Sequence, residues 1–147
     1  MGEDRLKLIP VYEKKALMNA WPHCIEGAEA ILKHTVGDTS LEKIFNGLFS
    51  GHLLLWVGFN AGKYCGFFTT KFDVASINNK SLDVVHLYIK KGVDKNIFYQ
   101  GFDELKKFAK ESNCTSLKFW TIRDKAFEKK MKPLGWERGY QEFIYTL

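Results

Sequence analysis

One stretch of the sequence constrains the fold more than any other: a strand pattern that leads through a short basic loop into an amphipathic helix. Residues 82–89 predict the strand. After the loop, apolar residues recur at the spacing of one helical face, at Phe98, Phe102, Leu105 and Ala109. Because the first backbone N–H groups of a helix have no partner within it, such a junction holds a phosphate group in many enzymes.

The rest of the chain mixes strand and helix patterns without a linker or a repeat. Strand patterns cover residues 6–11, 53–59, 64–72, 115–122 and 136–147. Helix patterns cover residues 12–34, 41–49 and 124–131. Pro22 predicts a kink or a restart in the first helix, and Thr39 with Glu42 forms a capping-box pattern before the second. This order predicts one mixed α/β domain over residues 1–147.

Composition removes several classes of protein. No run of about 18 apolar residues is present, which argues against a membrane span. The first residues lack the basic-then-apolar layout of a signal peptide. The three cysteines, at positions 24, 65 and 114, are far apart and odd in number. They predict buried thiols in a reducing cytosol, with neither a disulfide framework nor a metal site.

The net charge of +5 is unevenly distributed along the chain. Basic and acidic residues cancel up to Ile89, so the whole excess lies in the C-terminal part. Its lysines cluster in the loop and in the last predicted helix, at Lys90, Lys91, Lys95, Lys125, Lys129, Lys130 and Lys132. This distribution fits an anionic partner or a solvated face. No nucleic-acid recognition motif accompanies it, so only nonspecific attraction to polyanions is expected.

Several short segments and the order of elements carry a family resemblance. The segments are Leu55-Trp56-Val57 with Gly66, Leu87-Tyr88-Ile89, residues 108–114 and residues 132–137. Together they resemble the GNAT superfamily of acyl-CoA-dependent N-acetyltransferases. With Trp21-Pro22 and residues 48–51, the chain resembles more narrowly the short GNAT-like proteins of tailed bacteriophages. The resemblance implies a single-domain α/β fold with a mixed, mostly antiparallel sheet flanked by helices.

The family's cofactor loop is broken in this chain. The loop of the family reads Arg/Gln-x-x-Gly-x-Gly/Ala, because small residues let a pyrophosphate lie on the backbone. With Gly101 in the last position, Tyr99 replaces a glycine and Asn96 the Arg/Gln; two residues earlier, Ile97 and Tyr99 fill the small positions. Weak or absent acetyl-CoA binding is therefore expected. If acetyl-CoA binds, the resemblance implies contacts at Leu87, Tyr88, Ile89, Lys95, Asn96 and Gly101.

The family's catalytic acid is also missing. It is a tyrosine four residues before the final glycine, where this chain has Met131, or Lys130 with one inserted residue. Asp83 and His86 are the candidates for a base, since amine acetylation needs a group that removes a proton. Three positions apart on a regular strand, they are predicted to point to opposite faces and not to form a pair.

These observations leave three classes of function open, so enzymatic activity is undecided. The favoured class is a phage-encoded, catalytically degenerate protein, acting as a structural or interaction component of a virion or a host-directed assembly. Its partners would be phage or host proteins, in the virion or the host cytoplasm. The predicted contact residues are Phe67, Phe68, Phe72 and Ile77. The alternatives are an active acetyl-CoA-dependent N-acetyltransferase with a divergent cofactor loop, and a nonspecific nucleic-acid-binding module.

Overall fold

The computed structural model describes residues 6–33, 40–120, 137–138 and 142–147. The strands are β1 (Leu6–Val11), β2 (Leu54–Asn60), β3 (Lys63–Ser76), β4 (Asn79–Ile89), β5 (Ser116–Trp120), β6 (Glu137–Arg138) and β7 (Glu142–Thr146). The helices are α1 (Lys14–Leu32), α2 (Leu41–Ser50) and α3 (Lys95–Glu111). The helix predicted over 124–131, with the two candidate positions for the family's tyrosine, lies outside the described residues.

All seven described strands form one sheet in the order β1-β2-β3-β4-β5-β7-β6. Only β4 and β5 run parallel; the other neighbouring pairs are antiparallel. A parallel pair needs a long crossover connection, and α3 supplies it between these two strands. The predicted α/β class, with a mixed and mostly antiparallel sheet, is confirmed.

The helices cover the sheet from both sides. On one side α3 packs on a cluster that includes Phe68, Leu82, Val84, Leu105 and Leu117. On the other side α1 and α2 pack on a cluster that includes Leu17, Cys24, Ile44, Leu55 and Phe67. The three cysteines are buried and free, as predicted.

This packing corrects the predicted contact surface. Phe67 and Phe68 are 2% and 5% exposed, because neighbouring residues of a strand point to opposite faces and helices cover both faces. They are therefore unavailable to a partner. Phe72 and Ile77 lie further along the β3–β4 hairpin and are exposed, at 45% and 98%.

Of the two outcomes predicted at Pro22, a kink or a restart, the restart is excluded, and the predicted N-cap of the second helix is wrong. Helix α1 runs through Pro22 without a restart, held on both sides of the proline by buried Trp21 and Cys24. The N-cap of α2 is Ser40, one residue after the predicted Thr39, and its side chain accepts from the backbone N of Lys43 at 3.2 Å. Serine caps a helix as well as threonine does, so the capping pattern tolerates a shift of one residue.

Candidate functional site

A β-bulge in β4 shapes the site. Thr70 pairs with Val84 and Thr69 pairs with His86, so Val85 has no partner on β3. The pairing of β4 with β5 ends at the same place, with Val84 opposite Phe119. Within the described residues, β4 therefore continues beyond the bulge without a neighbour on its β5 side.

The backbone of this unpaired segment has a defined orientation. The N–H of Lys90 donates to the carbonyl oxygen of Cys65 on β3 at 2.9 Å. Backbone groups alternate in direction along a strand, so the N–H and C=O groups of Leu87 and Ile89 point away from β3. They face the side on which β5 has ended. We call residues 87–89 the open edge.

The bulge brings the two predicted base candidates to one face. Asp83 pairs with Lys71 and His86 pairs with Thr69, and these two partners lie two residues apart on β3. Residues two apart share a face, and so do cross-strand partners. The prediction that Asp83 and His86 point to opposite faces is wrong. Val85 is an additional residue without a partner on β3, so the side chain of His86 lies on the same face of the sheet as that of Asp83. No hydrogen bond joins the two side chains in the described part of the chain.

Both side chains are held by neighbouring hydroxyls. Asp83 is 1% exposed and its Oδ1 accepts from the Ser81 hydroxyl at 2.6 Å. The Nδ1 of His86 lies 2.7 Å from Thr69 Oγ1, which also accepts from the backbone N–H of His86 at 3.2 Å. Burial lowers the pKa of His86 from 6.5 to about 4, so its imidazole is neutral at neutral pH.

The start of α3 already carries a carboxylate. Asp94 is the N-cap, and its side chain accepts from the backbone N–H of Asn96 at 2.8 Å. The N–H of Ile97 donates to the carbonyl oxygen of Asp94 at 3.0 Å. Two of the first-turn donors are therefore used within the protein, and a negative charge sits where a phosphate would bind.

The residues predicted to bind the cofactor lie in three separate parts of the structure. Leu87, Tyr88 and Ile89 form the open edge, whereas Lys95 and Asn96 are exposed in the first turn of α3. Gly101 lies in the second turn of α3, away from the junction. The structure does not bring Gly101 together with the first-turn residues as a phosphate loop.

A small apolar pocket of about 60 Å³ lies beneath the first turns of α3. Its walls include Leu8, Cys65, Leu87, Ile97, Phe98 and Phe119. Burial raises the pKa of the Cys65 thiol, which keeps the thiol protonated at neutral pH. The lining is almost wholly apolar, so the pocket favours hydrocarbon over charged groups.

No protein-family model matches this sequence, and no curated protein matches it. Several solved structures, however, are similar to this chain. An aminoglycoside acetyltransferase, meta-AAC0020, from an uncultured soil metagenomic sample superimposes with a TM-score of 0.66 at 14% identity, covering 92% of each chain. NAA60 of Arabidopsis thaliana, in complex with a bisubstrate analogue, gives 0.67 at 13% identity over 97% of this chain and 99% of that one.

A predicted acetyltransferase of Clostridium acetobutylicum with acetyl-CoA gives a TM-score of 0.64 at 13% identity, with 92% of each chain covered. The chain has the GNAT fold. The fold implied by the sequence resemblance is thereby confirmed, and the narrower relation to phage proteins stays a prediction. Within the described part of this GNAT fold, no helix is long and apolar enough to span a membrane, and no three His, Cys, Asp or Glu side chains form a metal-binding group.

Two residues of the site, Asp94 and Thr69, were not predicted from the sequence. Asp94 could have been found, because an aspartate immediately before a helical stripe is an N-cap signal. Thr69 could not, because its contact with His86 joins two strands whose register depends on the bulge at Val85. Nothing in the residue types around Val85 marks the bulge.

Proposed function

We propose that the protein is a GNAT-type N-acetyltransferase that uses acetyl-CoA and an amine acceptor. The observation that carries this proposal is the open edge, where strand β4 continues past its bulge with backbone groups that have no partner strand among the described residues. An extended ligand arm with amide groups, such as pantetheine, can pair with such an edge as an additional strand would. Two of the similar structures, by their descriptions, hold acetyl-CoA or a bisubstrate analogue.

The other residues near the open edge have complementary tasks in this proposal. Acetyl-CoA supplies an acyl group activated as a thioester. A C–N bond forms to the amine nitrogen, the C–S bond breaks, the amine loses a proton and the thiolate gains one. Asp83 and His86 lie on one face beside the bulge, and Asp83 is the candidate group for taking the amine's proton.

Phosphate binding follows a divergent route in this chain. Asp94 and its two backbone hydrogen bonds occupy the first turn of α3, so the backbone offers few free donors there. The exposed lysines at positions 90, 91 and 95 supply positive charge next to it. A phosphate held by lysine side chains is bound less tightly than one seated on helix N–H groups, which agrees with the weak binding expected from the sequence.

Titration calorimetry with acetyl-CoA tests the proposal. Ile89→Pro removes one N–H from the open edge without removing a hydrogen bond to β3, because that N–H points away from β3. One lost hydrogen bond of about 1 kcal/mol predicts roughly fivefold weaker binding. Changing Lys90, Lys91 and Lys95 to Gln should weaken binding further, whereas the same change at the exposed lysines Lys15, Lys107 and Lys110 should not. No binding by the wild type, together with no acetyl transfer to any amine, would overturn the proposal.

A second candidate is the interaction role in a phage or host-directed assembly. The capped start of α3 favours it, because the feature that binds phosphate in the family is closed here by Asp94. The exposed hairpin end, with Phe72, Val74 and Ile77, offers an apolar contact surface. Capture of the protein from phage particles or infected cells, with identification of what accompanies it, tests this role. Its absence from particles and from any stable complex would count against it.

A further inference from the structure

Thr69 and His86 form a closely coupled pair across β3 and β4. Thr69 is fully buried, and its Oγ1 lies 2.7 Å from His86 Nδ1. The same oxygen accepts from the backbone N–H of His86 at 3.2 Å. One hydroxyl therefore contacts two polar groups of His86, the backbone N–H and the ring Nδ1.

These two contacts favour one ring nitrogen of His86 as the carrier of the imidazole proton. The backbone N–H is always a donor, so Thr69 Oγ1 acts as its acceptor. The hydroxyl retains one hydrogen to donate, and among the described residues it makes no hydrogen bond besides these two. Donation of that hydrogen to His86 Nδ1 satisfies the buried hydroxyl and requires Nδ1 to be unprotonated, whereas a protonated Nδ1 would leave the hydroxyl hydrogen buried without an acceptor among the described residues. In a neutral imidazole the remaining proton is carried by Nε2.

We propose that the Thr69 hydroxyl holds His86 as the neutral Nε2–H tautomer, so that His86 serves the acetyl transfer as an N–H donor and not as its base. The inference rests on the proposed function. Burial, which lowers the pKa of His86 to about 4, keeps the imidazole neutral and so supports the assignment. Thr69 is then a positioning residue for His86.

The place of His86 suits a donor. It is the first residue after the bulge and adjoins the open edge at Leu87. An oriented N–H at this point would stabilise the charge that develops on the acyl oxygen during transfer. With Nδ1 occupied by Thr69 and Nε2 protonated, the imidazole has no free lone pair for the proton of the amine. Asp83, on the same face, is left as the titratable group for that step.

The tautomer is measured without any ligand, by long-range ¹H–¹⁵N correlation NMR of the labelled protein at neutral pH. His86→Gln assigns the resonances. We expect a protonated Nε2 and an unprotonated Nδ1 in the wild type and in Thr69→Ser, which keeps the hydroxyl. Thr69→Val should give a mixture of tautomers. Thr70→Val removes an equally buried hydroxyl on the opposite face and should leave His86 unchanged.

The role of the donor is measured by steady-state kinetics of acetyl transfer. Glutamine carries an N–H donor but cannot act as a base, so His86→Gln should retain at least tenfold more kcat than His86→Ala. Equal loss in the two variants overturns the donor role, as does an Nδ1–H tautomer or an imidazolium in the wild type. An unchanged tautomer in Thr69→Val overturns the role of Thr69. Absence of acetyl-CoA binding in calorimetry, with the tautomer as expected, would instead mark failure of the proposed function.

Discussion

His86 occupies its place in the site because one residue of β4, Val85, has no partner on β3. The additional residue moves each following side chain to the other face of the strand. His86 therefore contacts Thr69 and lies on the same face as Asp83. Where β4 is regular, from Ser81 to Val84, its polar and apolar side chains alternate as expected. The arrangement of titratable groups therefore depends on the bulge as much as on the residue types.

The environment of His86 predicts a pH dependence of stability. Its pKa falls from 6.5 to about 4 on folding, so between these values the unfolded chain binds a proton that the folded protein does not. Above pH 6.5 the titration of His86 therefore does not lower the free energy of unfolding. As the pH falls towards 4 it lowers that free energy by on the order of 3 kcal/mol in total. Urea denaturation across this interval should show the decrease in the wild type. The same series on His86→Gln should lack this component, and parallel curves for the two proteins would contradict the prediction.

Asp94 predicts a separation of stability from binding. Asp94→Asn keeps a good helix cap and removes a negative charge from the start of α3. We expect little change in the free energy of unfolding and roughly two- to fivefold tighter acetyl-CoA binding, the size typical of one surface charge. Asp94→Ala should instead cost about 1 kcal/mol of stability through loss of the cap. Calorimetry and urea denaturation measure the two quantities; unchanged affinity in Asp94→Asn would show that this charge does not oppose the cofactor.

At the scale of the element, Gly27 in α1 and Gly101 in α3 differ in how much space is left for a side chain. A Cβ at Gly27 of α1 would overlap the ring of Tyr88 and come within 2.9 Å of Phe67 Cε1. A Cβ at Gly101 of α3 would only reach Leu6 Cδ2 at 3.4 Å, an ordinary contact. Close approach of helix and strand therefore explains Gly27, and through Tyr88 it supports the open edge.

Paired alanine substitutions test this difference. Gly101→Ala should stabilise the protein by up to about 1 kcal/mol, the gain in helix propensity. Gly27→Ala gains the same propensity but must displace the Tyr88 ring, so a net loss of about 1–2 kcal/mol is expected from overpacking. Urea midpoints at constant slope give both values. Stabilisation by Gly27→Ala would show that Tyr88 moves freely and does not hold the edge.

The elements themselves were largely predictable, and the site was not. The apolar stripe from Phe98 to Ala109 identified α3, and the run from Leu82 to Ile89 identified most of β4. Periodicity reports which face of a regular element is buried, so it carries this information. It does not report an interruption such as Val85, nor that β3 continues to Ser76, beyond the predicted end at residue 72. Both features depend on pairing between strands.

At the scale of the whole molecule, β4 links two separate surfaces. Its end forms the open edge, and its start belongs to the hairpin that extends beyond β2, whose pairing with β3 ends at Thr70. Eleven residues of strand place these surfaces about 30 Å apart. The hairpin is attached to α3 by Phe72, whose ring stacks on Phe108 at 6.0 Å and lies under the Lys80 ammonium at 4.3 Å.

This separation lets the two candidate functions be tested independently in one protein. Val74 and Ile77 are 63% and 98% exposed at the hairpin end, so changing both to Ser should alter stability by no more than about 0.5 kcal/mol each. Acetyl-CoA binding, 30 Å away by the same strand geometry, should be unchanged. If the protein works in an assembly through this surface, the double variant should lose its partner in capture from infected cells while Ile89→Pro keeps it. The opposite pattern, in which only Ile89→Pro loses function, assigns the biological role to the open edge.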